Sequence, residues 1–262
     1  MGKGKARMRL AAVMLAAMPT TLAFADEPLD AVLSCMRANV PQSVQIKEVE
    51  LTAVDRVGSK RVLRGRLYGQ REKEQLRTSL KIAAPPDLAG AAYLLREKGD
   101  GDEMYMYVPA LQRVRRITGT GSDGSLWGTD LSYGDVKQIN NAFSAGGGAV
   151  DGQGELDGRP VHLLTLVPDP AEDSRYASMK VWVDQQTCVS LRADFYEGST
   201  VRKRWSADPA SLARAGKHWY VGRATMSDLV EGTSTSLRVL GVSSDVDLAG
   251  RYFNPQTFYL GS

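Results

Sequence analysis

The sequence predicts a mainly β protein in which many short antiparallel strands form one domain. Apolar and polar residues alternate with a period of two along most of the chain, as they do at Val44–Val54. Clusters of glycine, proline and aspartate separate the runs, for example at Pro85–Asp87 and Gly99–Asp102. Ten or more short strands divided in this way indicate either a sandwich or a strongly curved, open barrel.

The predicted strands share this alternation and lie at Val44–Val54, Arg61–Tyr68, Gln75–Ile82, Ala91–Lys98, Glu103–Pro109, Arg113–Ile117, Val161–Val167, Ser178–Asp184, Val189–Tyr196, Val201–Ser206, His218–Met226 and Ser234–Val242. Two glycine-rich segments, Gly119–Tyr133 and Ser144–Gly158, interrupt the pattern, and we expect them to be irregular loops. One helix is predicted from Pro28 to Val40, because its apolar residues recur at helical spacing before Pro41.

The first 25 residues have the three parts of a secretory signal peptide. A basic start with Lys3 and Arg9 precedes the apolar stretch Leu10–Leu22, and Ala23–Ala25 supplies small residues at a cleavage site. The apolar stretch is shorter than the roughly 20 residues of a membrane-spanning helix. We therefore expect cleavage after residue 25, a mature domain over residues 26–262 and a periplasmic location without lipidation at Cys35.

The charge of the mature chain gives no indication of nucleic-acid binding. The sequence has 33 basic and 30 acidic residues, but four basic ones leave with the signal peptide, so 29 remain. A nucleic-acid-binding surface needs a basic surplus. Nucleic acid is therefore not an expected partner.

Cys35 and Cys188 are the two cysteines of the chain. Thiols of exported proteins usually oxidise, which favours a disulfide between them. Two buried free thiols are the alternative, since spacing alone does not show whether the side chains meet.

No catalytic set can be recognised. His162 and His218 are far apart in the sequence, and with the cysteines they lack the spacing of a zinc site. Nucleophile elbows and phosphate loops are absent from the sequence. We expect no enzyme activity, no catalytic residues, no cofactor and no metal; a hydrolase with unfamiliar motifs is the alternative.

The strongest local pattern runs from Tyr105 to Tyr133. A strand ends in Pro109-Ala110-Leu111, a second strand reads Arg113-Val114-Arg115-Arg116-Ile117, and a loop follows with Trp127-Gly128-Thr129-Asp130-Leu131-Ser132-Tyr133. The plain interpretation is a β-hairpin with a solvated basic face.

This block resembles the outer-membrane lipoprotein-sorting (LolA-like) family found beside RND-type exporters. The resemblance extends to Lys180–Asp184, Leu191–Tyr196, Thr225–Asp228 and the ending Phe253–Leu260, so it covers most of the mature chain. Leu131, where phenylalanine is commoner, Gly134, where an acid is common, and the run Gly146–Gly148 depart from the family pattern.

The resemblance implies an unclosed antiparallel β-barrel of about eleven strands, with an N-terminal helix and short lid helices. Its apolar concave side would hold acyl chains of a lipid or lipoprotein, and an RND-type inner-membrane exporter and other membrane-associated proteins would be transient partners. An envelope-stress sensor or regulatory module of the same fold is the alternative. The candidate ligand-binding residues are Met104, Met106, Tyr107, Arg113, Arg115, Arg116, Trp127 and Tyr133.

Overall fold

The computed structural model describes residues 1–2, 28–143, 146–170, 174–245 and 249–260. The predicted signal peptide lies outside these ranges apart from its first two residues. Within the described ranges, the predicted mainly β architecture is confirmed.

One antiparallel sheet of thirteen strands forms the body of the protein, in the order β6-β5-β4-β3-β2-β1-β15-β14-β11-β10-β9-β8-β7. Strands β6 and β7 are its two edges, so the sheet is not closed, whereas β12 and β13 form a separate hairpin. The strands are β1 Val44–Val54, β2 Lys60–Glu72, β3 Gln75–Ala84, β4 Ala92–Arg96, β5 Glu103–Val108, β6 Arg113–Ile117, β7 Gly147–Leu156, β8 Arg159–Val167, β9 Ser178–Asp184, β10 Ser190–Glu197, β11 Thr200–Ala207, β12 Leu212–Ala215, β13 His218–Val221, β14 Arg223–Asp228 and β15 Thr233–Asp245.

The inner face of the sheet carries the main hydrophobic core. Leu51 on β1 lies opposite Leu63 on β2 and Leu237 on β15, and all three side chains are buried. Because successive side chains of a strand point to opposite faces, every second residue joins this core. The inner face is therefore largely apolar from β5 to β9.

Helix α1, Leu29–Ala38, packs on the same inner face. Its buried residues Val32, Leu33 and Met36 follow the helical spacing expected from the sequence. The helix begins after Pro28 and ends two residues short of the predicted Val40. Two further helices are short, α2 at Val136–Ile139 and α3 at Ala249–Tyr252.

A disulfide joins Cys35 of α1 to Cys188 in the turn between β9 and β10, with 5.7 Å between their Cα atoms. This separation is within the range that a disulfide needs. The favoured pairing is confirmed, and it ties the N-terminal helix to the sheet.

A second, smaller core covers the outer face of β2–β5 and is closed by the C-terminal segment, residues 249–260. Tyr252 stacks on Tyr68 with 4.2 Å between ring centroids, and Tyr259 stacks on Tyr107 at 4.1 Å. The Lys81 ammonium donates a hydrogen bond to the Leu260 carbonyl at 3.0 Å. Residues 249–260 are thus part of the fold.

The prediction of an irregular loop over 144–158 was wrong, since β7 occupies most of it. Glycine permits this strand: a Cβ at Gly148 would lie 2.3 Å from the Thr165 carbonyl oxygen of β8. Because glycine has a low strand propensity, the sequence did not predict β7. This edge strand pairs with β8 through a close approach of the two backbones.

The predicted strand His218–Met226 is two strands, and β12 was missed. At Gly222 the chain leaves the small hairpin and enters the main sheet. A Cβ there would lie 2.8 Å from the Ser211 carbonyl oxygen, which the apolar pattern of the sequence does not reveal. The strand number of about eleven was therefore too low.

Candidate functional site

The lid segment, residues 118–143, connects β6 to the start of the β7 region and folds over the inner face of the sheet. It begins with a 3-10 turn at Gly119–Asp123 and includes α2. Its buried apolar side chains face the main core: Leu126, Leu131, Val136, Ile139 and Phe143. The lid segment fills the space that the curved sheet would otherwise leave open.

Buried polar contacts also hold the lid segment. The Lys203 ammonium of β11 lies 3.1 Å from the Asp135 carboxylate, and both side chains are buried. Lys137 pairs with Asp102, and the Asn140 amide donates to the Thr78 hydroxyl at 3.0 Å. Water can replace each of these contacts, so they oppose opening of the lid segment less than an equal apolar area would.

Lys47 of β1 is buried on the inner face beneath α2. Its ammonium lies 3.4 Å from the Ile139 carbonyl oxygen and 5.9 Å from the centre of the Tyr220 ring. Burial lowers the pKa of Lys47 to about 8. The carbonyl end of α2 therefore contacts the Lys47 ammonium, whose desolvation costs free energy.

A cavity of about 240 Å³, here called the seam cavity, lies between the β5–β6 end of the sheet and strands β9 and β10. Met104 of β5 and Ile117 of β6 contribute from one side, and Met179 of β9 and Phe195 of β10 from the other. Phe143 of the lid segment completes the apolar wall. One small ligand could thus touch two distant parts of the sheet at once.

The remaining wall of the seam cavity is polar. Gln138 and Tyr176 line it, and the Gln138 Oε1 and Tyr176 Oη atoms are buried without a hydrogen-bond partner among the described residues. Asp123 also lines the cavity, where burial raises the pKa of its carboxyl, with a smaller contribution from the charge of Asp135. The cavity is therefore amphipathic, with apolar side chains opposite hydrogen-bonding groups.

The structure brings three of the predicted site residues together on the inner side. Met104 lines the seam cavity, and the Tyr133 hydroxyl donates to the Met106 sulfur at 2.9 Å. The carbonyl of Tyr133 accepts a hydrogen bond from the buried Tyr93 hydroxyl at 2.7 Å. These contacts join β5 to the lid segment next to the cavity.

Tyr107 lies on the other face. It follows Met106 by one residue, so its side chain points outward and stacks on Tyr259. Trp127 packs against the main core, and its indole Nε1 is buried without a hydrogen-bond partner in the described chain.

The three predicted arginines lie on edge strand β6 and are exposed. Arg115 pairs with Met106 across the strands, and Arg113 shares its face, as the alternation predicts. Arg116 lies on the opposite face but reaches the rim of the seam cavity. Only Arg116 of the three is a neighbour of the cavity.

Sequence reasoning missed Gln138, Phe143 and Tyr176 as cavity residues. Val136, Ile139 and Phe143 recur at helical spacing, which was the available signal for a buried lid helix. Tyr176 carried no such signal, because it lies outside every predicted strand and helix.

The histidines do not meet. His162 is on β8, and His218 is on β13 with its Nδ1 atom 3.2 Å from the Ala38 carbonyl oxygen. No group of three or more His, Cys, Asp or Glu side chains in the described ranges could hold a metal ion. The helices of the described chain are all too short or too polar to cross a membrane.

Comparisons with known proteins agree with this architecture. A family model described as "Uncharacterized protein" matches residues 74–259, well over half of the chain. No curated protein matches the sequence.

Three solved structures share the fold. A DUF1329 family protein from Desulfovibrio piger is 21% identical, with a TM-score of 0.77 over 87% of this chain and 98% of that one. An outer membrane lipoprotein-sorting protein domain from Vibrio parahaemolyticus is 20% identical, with a TM-score of 0.76 over 87% and 97%. A LolA superfamily protein from Nitrosomonas europaea is 18% identical, with a TM-score of 0.67 over 87% and 98%.

The shared fold agrees with the resemblance carried by the Tyr105–Tyr133 block. The chain belongs to the family whose model matches residues 74–259, and it has the fold of the DUF1329 and LolA superfamily structures.

Proposed function

We propose that this protein is a periplasmic carrier that shelters an acyl chain of a lipid or lipoprotein between the inner face of the sheet and the lid segment. It takes part in outer-membrane lipid or lipoprotein sorting, with an RND-type inner-membrane exporter as its membrane partner. Residues 1–25 act as a signal peptide, and residues 26–262 form the carrier domain.

The observation that carries this proposal is the seam cavity. Its apolar wall is continuous with the main core, and a segment held partly by polar contacts covers it. Apolar pockets with a few convergent polar groups are typical small-molecule sites. Each buried methylene contributes about 0.8 kcal/mol, so a chain of about ten methylenes is retained without covalent chemistry.

The lid segment must move for a long chain to enter. Ligand pockets usually measure about 300–1,000 Å³, and the seam cavity has about 240 Å³. Displacing Phe143 and Ile139 from the inner face would extend the cavity into the space that their buried side chains now fill. We therefore interpret the structure as the closed form of the carrier.

The test is recovery of lipid from the protein itself. The full-length chain is expressed with its leader, isolated from the periplasm without detergent and analysed by native and lipid mass spectrometry. We expect an acyl lipid to accompany the protein, and N-terminal sequencing to begin at Asp26. A protein that emerges without any lipid from every preparation would contradict the carrier function.

Two variants of the same strand locate the binding site. Met104→Trp places a larger side chain in the seam cavity, and we expect it to reduce the recovered lipid at least several-fold. Tyr107→Trp changes the outer face of β5 and should leave the lipid content unchanged. Equal lipid content in both variants would show that the ligand lies elsewhere.

The partner is tested separately by crosslinking in intact cells. Recovery of an RND-type exporter supports the sorting role. Recovery of an inner-membrane signalling regulator instead would favour a sensor of the same fold.

A further inference from the structure

Two residues that line the seam cavity carry hydrogen-bonding atoms that the fold leaves unused. Gln138 Oε1 and Tyr176 Oη have no hydrogen-bond partner in the described chain. Both residues are more than nine-tenths buried. Buried polar atoms are nearly always satisfied, because each unmade hydrogen bond is costly. Because both residues line one cavity, a ligand bound there is a candidate hydrogen-bond partner for the two atoms.

The two atoms differ in what they require. A carboxamide oxygen only accepts, so Gln138 Oε1 needs an N–H or O–H donor on the ligand. The Tyr176 hydroxyl can donate to a carbonyl oxygen. Burial raises the pKa of Tyr176 above its ordinary value, so this hydroxyl keeps its proton.

An acyl amide carries both complementary groups, an N–H and a C=O, next to its hydrocarbon chain. An acyl ester has the carbonyl but no donor for Gln138. A fatty-acid carboxylate also lacks a donor, and it would enter a cavity whose wall includes Asp102, Asp123 and Asp135. The cations that line this wall are Lys137, which already pairs with Asp102, and Arg116.

We infer that the seam cavity selects acyl chains attached through an amide, with the Gln138 carbonyl accepting from the amide N–H and the Tyr176 hydroxyl donating to the amide C=O. This inference rests on the proposed carrier function and specifies the class of its cargo. The apolar wall formed by Met104, Met179 and Phe195 receives the first methylenes of the chain.

The test compares two probes that differ in one group. N-methyloctanamide and methyl octanoate have the same acyl chain, but only the amide has an N–H. Their affinities for the delipidated mature protein are measured by displacement of N-phenyl-1-naphthylamine. One hydrogen bond that would otherwise be lost corresponds to a preference of roughly tenfold for the amide.

Two variants assign this preference to the two side chains. Tyr176→Phe keeps the ring that packs 5.1 Å from Phe195, and Gln138→Met keeps the side-chain length. Gln138→Met should abolish the preference for the amide probe over the ester, because it removes only the oxygen that accepts from the amide N–H. Tyr176→Phe should weaken both probes by roughly three- to tenfold, because both have the carbonyl.

Tyr107→Phe is the matched control, since this variant also removes one tyrosine hydroxyl but on the outer face. It should bind both probes as the unaltered protein does. Thermal unfolding of every variant checks that the fold is intact.

The outcomes separate the two levels of the proposal. Equal affinity for the amide and the ester, or an amide preference that survives Gln138→Met, would overturn the amide inference and leave the carrier function standing. Failure of both probes to displace the dye would overturn both.

Discussion

Three buried cations lie around the lid segment, and their surroundings differ. Lys203 and Lys137 each face a carboxylate, of Asp135 and Asp102 respectively. Lys47 faces a carbonyl oxygen and an aromatic ring instead. A cation in such surroundings loses hydration without a full counter-charge, so its protonation is linked to the stability of the fold.

The pKa of Lys47 gives a prediction for the pH dependence of stability. Burial lowers this pKa to about 8 in the folded protein, from 10.5 in the unfolded chain. Between these two values the unfolded chain binds more protons, so the free energy of unfolding rises with pH, by up to roughly 3 kcal/mol. Below pH 8 Lys47 is charged in both the folded and the unfolded state. The folded state then carries the whole free-energy cost of burying the ammonium.

We expect Lys47→Met to stabilise the protein at pH 7 by about 1–3 kcal/mol and to flatten the rise between pH 8 and 9.5. Urea unfolding at several pH values measures both effects. Lys60→Met, at an exposed position of β2, should leave the pH profile unchanged. A Lys47→Met profile parallel to that of the unaltered protein would contradict this interpretation of Lys47.

At the scale of elements, the N-terminal helix and the C-terminal segment cover opposite faces of the sheet. Helix α1 is attached by the disulfide and by Val32, Leu33 and Met36. Residues 249–260 are held by stacked tyrosines and a lysine hydrogen bond. Each face of the sheet is thus closed by one end of the described chain.

Removal of the disulfide should destabilise the fold substantially. Cys35 and Cys188 are 153 residues apart, and a crosslink across such a long loop restricts the unfolded chain strongly. We expect Cys35→Ala with Cys188→Ala to lower the free energy of unfolding by roughly 2–5 kcal/mol. Reduction of the unaltered protein should reproduce the loss, whereas the double variant should not respond to reductant. An unchanged denaturation midpoint would disprove the stabilising role.

At the scale of the whole molecule, the sheet and the lid segment differ in how they are held. Strands β1, β2, β3 and β15 lie inside the sheet with hydrogen-bonded neighbours on both sides. The backbone hydrogen bonds of the lid segment run within the segment itself and include one isolated bridge, Ser125 to Ser132. Side chains make its hydrogen bonds to the sheet in the described chain. Local opening of the lid segment should therefore cost less free energy than unfolding of the sheet.

Amide hydrogen exchange measures this difference. We expect the amides of residues 124–143 to exchange by local opening, at rates that depend little on denaturant. The amides of β1–β3 should exchange only through global unfolding. Bound acyl lipid should protect the lid segment and leave β1–β3 unchanged. Identical exchange behaviour of the lid segment and β1 would mean that the cavity does not open without unfolding.

The fold could be predicted from the sequence to the extent that its patterns are local. Alternation of period two located twelve strand-like regions, and helical spacing located α1 within two residues of its end. The same alternation already separates Met104 and Met106 from Tyr107. The sequence pattern did not predict the glycine-rich strand β7 or the change of sheet at Gly222. Both depend on the close approach of a backbone that is distant in the sequence.

The candidate site could be predicted only in part. Met104, Met106 and Tyr133 lie at or beside the seam cavity, since they belong to the block whose motif is recognisable. Gln138 and Tyr176 are 38 positions apart on separate elements, and neither stands out in composition. Their shared cavity follows from the way the sheet curves.

The sequence by itself determined the mainly β class, the N-terminal helix and the family resemblance, because short-range periodicity or a contiguous motif indicates each of them. Only the tertiary structure decided that Cys35 meets Cys188, that Tyr107 faces away from the cavity, and that the two residues with unsatisfied polar atoms line the same cavity. The physical reason is the curvature of the sheet. The twist accumulated over thirteen strands brings β5 and β9 to one cavity, and a local sequence pattern does not predict this accumulated twist.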